Sequence, residues 1–230
     1  PINGICGMVD VGDHYSNDLQ KQADCRKKIR EASNILLELI NEVLDMSKLE
    51  SGEILLEEKP FDVYKTINDV MDLVGRQADE RGIKVEQTIE IEHRKLLGSS
   101  LYLKRMLMNI LSNAVKYNKD YGNIDLSCKE IPSHSTESTM LEFTCRDTGI
   151  GMSSGFKEHV FEAFAREQKG GASKFGGTGL GMTITKNLAE KMGGTITFES
   201  KEGAGTTFVI RVPFRIDTDR SGRPETGEKT

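Results

Sequence analysis

The sequence of 230 residues lacks any long hydrophobic run. Its most apolar stretch, ILLELINEVL at 35–44, is interrupted by Glu38, Asn41 and Glu42, whereas a helix that spans a bilayer needs about 20 consecutive apolar residues. No signal peptide is recognisable. The start at Pro1 suggests an excised fragment, so we expect any membrane attachment to come only from regions of a parent protein outside this chain.

The sequence also lacks closely spaced cysteines and a net positive charge. The four cysteines (Cys6, Cys25, Cys128 and Cys145) have neither metal-binding nor redox spacing, a pattern typical of a reducing cytosol, and we expect a cytoplasmic location. The net charge of −5 provides no overall field that would attract nucleic acid, so we expect no nucleic-acid partner. A phosphate-bearing ligand would have to be bound by a local site.

Residues 18–51 are predicted to form one long helix, because apolar residues recur at heptad a and d positions. Leu37, Ile40 and Leu44 widen that stripe beyond a two-helix seam, and a wide stripe is typical of a four-helix bundle. The polar segment GDHYSN at 12–17 indicates a connection from a preceding helix. We expect residues 1–51 to form a helical hairpin that two copies complete into a dimeric bundle. Packing of the hairpin on its own downstream domain is the alternative.

The pattern changes to mixed helix and strand over residues 52–214, which we expect to form a second domain. Helices are predicted at 62–81, 100–117 and 179–192, and strands at 53–57, 83–91, 123–131, 139–147, 194–200 and 205–214. Because the elements do not alternate strictly, they favour an α+β fold with helices on one face of a mostly antiparallel sheet. Residues 215–230 are predicted to be a disordered tail.

Two asparagines, Asn109 and Asn113, lie four residues apart on one face of the apolar helix LKRMLMNILSNAVKY. Asparagine is unfavourable inside a helix, so the pair needs a reason. An amide oxygen can ligate Mg²⁺, Lys116 on the same side can meet phosphate oxygens, and Tyr117 could pack against a base. The alternative is that Asn113 only bridges neighbouring groups.

Three glycine-rich segments follow. DTGIGM at 147–152 comes after a strand, where Asp147 can accept a hydrogen bond from an exocyclic amine and the glycines permit close approach of a ligand; many hairpins carry the same letters. FGGTGLGM at 175–182 opens a helix, whose free N–H groups and dipole favour an anion, although a glycine hinge has the same composition. EGAGTTF at 202–208 is compatible with an ordinary hairpin turn.

In this order and spacing, the segments resemble those of sensor histidine protein kinases from bacterial two-component systems. NILSNAVKY resembles the asparagine box of that family, DTGIGM and GGTGLGM its two glycine boxes, VFEAFAR at 160–166 its phenylalanine box, and EGAGTTF its closing turn. LLELINEVLDMSKLESGEILLEEKPFDV resembles the second dimerisation helix and its linker. The resemblance covers about 1–214 and implies a two-layer α/β sandwich that binds ATP, shared with gyrase, the Hsp90 chaperone and MutL.

The resemblance also implies roles for individual residues. Asn113 would ligate Mg²⁺, Asn109 and Lys116 would face the phosphates, Tyr117 would lie near the adenine or ribose, and Asp147 would bind the adenine amine. The resemblance implies further ATP-binding residues in three places. Gly149 and Gly151 would line the pocket of the adenine base, and Thr206 would lie near Asp147. A mobile lid would contain Gly177, Thr178, Gly179, Leu180 and Gly181. Phe161 and Phe164 would anchor the lid as core residues.

One departure from the family concerns the phosphoacceptor. The family's acceptor histidine would precede a proline that matches Pro1, and the four histidines present (His14, His93, His134 and His159) do not match it. The resemblance implies transfer of the γ-phosphoryl of ATP to a histidine, then to an aspartate of a response-regulator receiver domain. We therefore expect no autophosphorylation of this chain alone. A smaller departure is Ser99, where the family often has an acidic residue.

Two other functions remain open at this point. A conformational ATPase of the gyrase kind would need a glutamate on the asparagine helix to activate water, and there is no Glu or Asp between Leu101 and Lys119. A nucleotide-binding pseudokinase or dimerisation scaffold is disfavoured by the intact boxes. Phosphorylation of an intact acceptor hairpin in trans would separate these cases.

Overall fold

A computed structural model describes residues 1–51, 58–131, 136–167 and 177–218. The chain divides into two compact units, Pro1–Ile54 with Val160–Ile184, and Leu55–His159 with Thr185–Thr230. Within the ranges described, no helix combines the length and the hydropathy that crossing a membrane requires.

The first unit contains a hairpin of two helices, α1 (Ile2–His14) and α2 (Leu19–Glu50). Asp18 caps α2 by accepting a hydrogen bond from the Lys21 amide at 3.0 Å, which places a carboxylate at the positive end of the helix dipole. The predicted long helix is confirmed, with its ends one residue inside the predicted limits. The connection is shorter than predicted, because α1 continues through His14 before the chain turns.

The second unit contains a mixed sheet and its helices. Its strands are β1 (Lys59–Asp62), β2 (Lys84–Glu90), β3 (Lys95–Gly98), β4 (Asn123–Ile131), β5 (Ser138–Asp147), β6 (Thr195–Lys201) and β7 (Gly205–Ile216). Its helices are α3 (Val63–Asp79), α4 (Ser100–Lys116) and the short α5 (Ser154–Lys157). A further helix, α6 (Gly181–Lys191), begins in residues of the first unit and continues into the second.

The strand order is β1-β3-β7-β5-β4-β2, and β6 pairs with β7 at its N-terminal half. Every pair is antiparallel except β2 with β4. The predicted α+β class with a mostly antiparallel sheet is therefore confirmed. The parallel pair is possible because β3 and α4 lie between its two strands along the chain, which allows a crossover that a hairpin cannot provide.

The sheet and the helices that cover it form two layers, as the alternation of buried and less buried side chains along β5 indicates. Leu141, Phe143 and Cys145 point to the buried side of this central strand, and successive side chains point to opposite faces of a sheet. The helices present matching apolar stripes at three- and four-residue spacing. The buried stripe residues are Val63, Ile67, Val70 and Val74 of α3 and Leu103, Met106, Leu107, Ile110 and Leu111 of α4.

The first residue of α4 is set by Ser99, the position where the sequence departs from the family. Its hydroxyl accepts a hydrogen bond from the Tyr102 amide at 3.4 Å, and its side chain is buried. Serine is a strong helix N-cap, so the residue has a local structural role. The cap fixes where α4 begins and hence which side chains its face presents.

Three elements were missed from the sequence: β1, β3 and α5, each of four residues. The prediction that the tail starts at residue 215 was wrong. Arg215 and Ile216 belong to β7 and pair with Leu97 and Leu96 of β3. The predicted strand at 53–57 and residues 219–230 of the predicted tail lie outside the described residues.

Candidate nucleotide-binding site

Asp147 is the one carboxylate among the predicted site residues. It is buried, with 9% of its surface exposed. Its Oδ1 atom accepts hydrogen bonds from the backbone amides of Gly149 at 2.8 Å and Thr206 at 3.3 Å. Burial raises the pKa of the carboxyl above its ordinary value of 3.8, and these two hydrogen bonds oppose the shift. The other oxygen, Oδ2, forms no hydrogen bond within the described part of the chain and can accept one from a ligand.

The turn after Asp147 packs against the end of α4. The Ile150 amide donates to the Tyr117 carbonyl at 3.0 Å. A Cβ atom at Gly149 would collide with that same carbonyl oxygen, so only glycine permits the approach. Gly151 has a φ of 63°, in the left-handed region, and lies against the Lys201 backbone. The first glycine segment thus joins the ends of α4 and β6.

The hairpin turn between β6 and β7 also belongs to this region. Ser200 Oγ accepts from the Met152 amide at 2.9 Å, donates to the Gly205 carbonyl at 3.1 Å and lies 2.9 Å from Thr206 Oγ1. The segment EGAGTTF is therefore a hairpin turn, as its alternative interpretation held. Its Thr206 amide nevertheless reaches Asp147, so the turn also shapes the site.

The side chains on α4 differ in their partners. Asn109 Nδ2 donates to Thr185 Oγ1 of α6 at 3.1 Å, a contact that the sequence did not predict. The half-buried Asn113 side chain makes no hydrogen bond to any residue in the described ranges. The Lys116 ammonium lies 4.9 Å from the centre of the Tyr117 ring, an attractive cation–π distance. Asn113 and Lys116 therefore keep oxygen-ligating and cationic groups available on one helix face.

The second glycine segment is placed at the start of α6, within the first unit. Gly177 and Gly179 have φ values of 136° and 80°, the Leu180 amide donates to Thr178 Oγ1 at 3.2 Å, and Gly181 is the first helical residue. The described part of this segment thus has the turn-then-helix form predicted for an anion site.

The phenylalanine box contacts the second glycine segment through its backbone. The Phe164 amide donates to the Gly179 carbonyl at 3.1 Å, and Phe164 has a φ of 64°, a strained value for a bulky residue. The expectation that Phe164 anchors by core burial was wrong, because 62% of its surface is exposed. Its contribution to this segment is the backbone hydrogen bond.

Sequence patterns missed Arg81, Ser200 and Asn118, three residues that organise the surroundings of the site. Asn118 is 2% exposed and its side chain links β4 to the end of α4, donating to the Asn123 carbonyl at 3.2 Å and accepting from the Lys119 amide at 2.9 Å. None has a motif of its own. Arg81 contacts the Val115 carbonyl, 34 residues away, and Ser200 contacts the Met152 amide, 48 residues away. The position of Asn118 directly after the asparagine box was the only available signal.

The chain belongs to the family of histidine kinase-, DNA gyrase B- and HSP90-like ATPases, whose family model matches residues 98–216. That range contains every predicted site residue, including the two asparagines, Asp147 and both glycine segments. Within this family, the chain is an ATP-binding catalytic core of the sensor histidine kinase type, as its similarities over nearly its whole length show.

Two curated relatives illustrate that similarity. The signal transduction histidine-protein kinase BarA of Escherichia coli (strain K12) is 33% identical over 219 residues, covering 94% of this chain and 23% of BarA. The sensory/regulatory protein RpfC of Xanthomonas campestris pv. campestris is 32% identical over 217 residues, covering 94% of this chain and 30% of RpfC. The chain thus spans less than a third of the length of each of these relatives.

Two solved structures are similar in fold to this chain. Full-length ShkA in complex with AMPPNP has a TM-score of 0.74 and 26% identity, covering 94% of this chain and 44% of ShkA. Histidine kinase ThkA in complex with the response regulator protein TrrA has a TM-score of 0.69 at 19% identity, which indicates the fold alone. Both comparisons extend over the hairpin as well as the sheet.

Proposed function

We propose that this chain binds ATP and transfers its γ-phosphoryl group to a histidine of a dimerisation hairpin, which passes it to an aspartate of a response regulator. The observation that carries the proposal is the Asp147 carboxylate. One of its oxygens is held by the Gly149 and Thr206 amides, so the other has a fixed direction in a buried site. The C6 amine of adenine is a donor that such an oxygen binds, whereas the C6 carbonyl of guanine is an acceptor and is repelled.

The remaining adenine-side residues shape the base pocket. Gly149 and Gly151 bring backbone rather than side chain to the base, and Tyr117 supplies an aromatic face beside it. Lys116 supplies positive charge for the phosphates. On its sequence motif and its position at the N-terminus of α6, we assign the segment Gly177–Gly181 to phosphate binding as well, because the dipole of a helix favours an anion at its N-terminus.

The residues present also fit Mg²⁺. The side-chain amide of Asn113 has no described partner and offers a neutral oxygen ligand. Within the described residues, no cluster of three or more His, Cys, Asp or Glu could hold a metal. Mg²⁺ takes few protein ligands and keeps phosphate and water oxygens, so a single Asn113 ligand suits it. The bound ion would neutralise charge on the phosphates, while α4 orients them.

Transfer in trans provides the test. We expect the chain, mixed with Mg²⁺, radiolabelled ATP and a separate hairpin that carries the acceptor histidine, to label that hairpin and not itself. Replacing ATP with GTP should abolish the label, because guanine presents an acceptor to Asp147. A stable phosphohistidine on the chain alone, or no transfer by a protein that binds ATP, would contradict the proposal. The second result would favour a scaffold or pseudokinase.

The hairpin is proposed to form a homodimer through residues 1–51. Large apolar side chains along α2 are exposed in the single chain, and their exposure of 39–60% is high for leucine, isoleucine and valine: Ile35, Leu37, Ile40, Val43 and Leu44. A second copy would bury this stripe in a four-helix bundle. The response regulator is the proposed second partner, and the proposed location is the cytoplasm, which the scattered single cysteines support.

We expect the double substitution Ile40→Glu and Leu44→Glu to convert the dimer into a monomer, because two carboxylates would have to be buried without partners. Light scattering after size-exclusion chromatography measures the mass. Asn34→Glu adds a charge at an exposed polar position of the same helix and should leave the dimer intact. A wild-type protein that is monomeric at high micromolar concentration would refute the dimer proposal.

A further inference from the structure

Arg81, two residues after the end of α3, contacts the C-terminus of α4. Its Nη1 atom donates to the carbonyls of Val115 at 2.5 Å and Lys116 at 3.3 Å, and Nη2 donates to the carbonyl of Asn118 at 2.8 Å. Nε and Nη2 both donate to Asp120 Oδ1, at 3.0 and 2.8 Å. The guanidinium thus binds four acceptors that span six residues of chain, and 29% of its side chain is exposed.

Two of these acceptors, the carbonyls of Val115 and Lys116, lie in the last turn of α4. The last four carbonyls of an α-helix have no intrahelical donor, and the negative end of the helix dipole favours a cation. The Asn118 carbonyl lies beyond the helix, so the same side chain also holds the chain after α4. A planar guanidinium has five N–H donors and can donate to all of these acceptors at once. The compact ammonium of lysine cannot reach them in the same geometry.

Residues 115–120, which Arg81 holds, include the proposed phosphate-binding Lys116 and contact the turn on the adenine side of the proposed nucleotide site. The Tyr117 carbonyl accepts from the Ile150 amide in the turn that follows Asp147. Lys119 Nζ donates to the Gly203 carbonyl at 2.7 Å, and the Gly203 amide donates to the Ile150 carbonyl at 2.7 Å. The adenine-side turn is therefore bound to the chain that Arg81 fixes.

We propose that Arg81 is a positioning residue for nucleotide binding, which acts by fixing residues 115–120. It touches the site through the α4 terminus and not the nucleotide itself. The proposal rests on the proposed ATP-binding function and adds a determinant of its affinity that lies outside every sequence box. Losing Arg81 should let the end of α4 move relative to the turn at Ile150, which would displace the proposed phosphate-binding Lys116 from the base-reading Asp147.

Two variants and a matched control test this role. We expect Arg81→Gln to weaken ATP binding by about 10-fold or more, as small displacements of binding groups do. Arg81→Lys, which keeps the charge without the planar fork, should lose a smaller part of the affinity. Arg76→Gln removes the same side chain from the last turn of α3, where Arg76 is exposed, and should change nothing. Titration calorimetry gives the Kd for ATP, and thermal unfolding without nucleotide gives the stability.

Hydrogen exchange separates positioning from general destabilisation. In Arg81→Gln without nucleotide, we expect the Ile150 amide to exchange faster while the amides of the central strand β5 keep their rates. Equal acceleration at Ile150 and in β5, or an unchanged Kd with unchanged Ile150 exchange, would overturn the proposal. If Arg81→Gln does not fold, Arg81→Lys carries the same two measurements. Failure of the wild-type protein to bind ATP would refute the proposed function, and the exchange of Ile150 would still test the contact.

Discussion

Asp147→Asn is expected to weaken ATP binding by about 2–4 kcal/mol, roughly 30- to 700-fold in Kd. If the asparagine oxygen keeps the hydrogen bonds from Gly149 and Thr206, its NH₂ group faces the adenine amine, donor against donor. If the side chain flips, those two amides lose their acceptor. Either orientation leaves a buried polar group unsatisfied, and the charge that strengthens the native hydrogen bond is gone. Titration calorimetry with ATP measures the loss.

The same substitution should change the preference between nucleotides. An asparagine NH₂ group can donate to the C6 carbonyl of guanine, so the ratio of ATP to GTP affinity should fall. Asp125→Asn is the matched control, because Asp125 is exposed on the neighbouring strand β4 and makes no hydrogen bond within the described ranges. Unchanged ATP affinity in Asp147→Asn, or an equal effect of Asp125→Asn, would show that Asp147 does not bind the base.

The pH dependence of binding provides a second measure of this carboxylate. The pKa of Asp147 is raised by burial above 3.8, so on acidification it loses its charge earlier than an exposed aspartate does. The ionised form is the better acceptor for the adenine amine, and affinity should therefore fall as the pH decreases through the raised pKa. The phosphates of ATP also titrate, so the informative quantity is the difference in ATP affinity between the wild type and Asp147→Asn. This difference should become smaller at low pH, where Asp147 is protonated.

Asn113→Ala is expected to lower phosphoryl transfer to an acceptor hairpin by about 100-fold or more, with the greatest loss at limiting Mg²⁺. The substitution removes the side-chain oxygen that we assign to the metal, while the adenine contacts at Asp147 remain. Binding of ATP without Mg²⁺ should consequently change little. Calorimetry with and without Mg²⁺ and the rate of transfer together measure these effects.

Two further variants narrow the interpretation of Asn113. Asn113→Asp retains an oxygen ligand and should keep more Mg²⁺-dependent binding than the alanine variant. Ser112→Ala changes the adjacent residue, whose hydroxyl donates to the Asn109 carbonyl at 3.3 Å and makes no other hydrogen bond among the described residues. It should leave transfer near the wild-type rate. If Asn113→Ala responds to Mg²⁺ as the wild type does, Asn113 is not a ligand of the metal.

The long elements were predictable because their signals are local. The heptad stripe and the polar start at Asp18 define α2, and the apolar period of α4 predicted that helix to within one residue. Strand β4 alternates strongly enough that its predicted and observed limits coincide at 123–131. The four-residue strands β1 and β3 were missed because four residues cannot show a distinctive period. They exist through their pairing with each other and with β7.

The sequence by itself determined the order of the boxes and the change from long helices to mixed helix and strand, and it predicts the side chains for ATP and Mg²⁺. These depend on residue type and on spacing within a few turns of chain. Only the tertiary structure decided that the Thr206 amide, 59 residues from Asp147, holds its carboxylate, and that Arg81 caps a helix end 34 residues away. Such contacts form where segments distant in the sequence meet on the sheet. The local sequence around a backbone amide or a single arginine contains no pattern that predicts its partner.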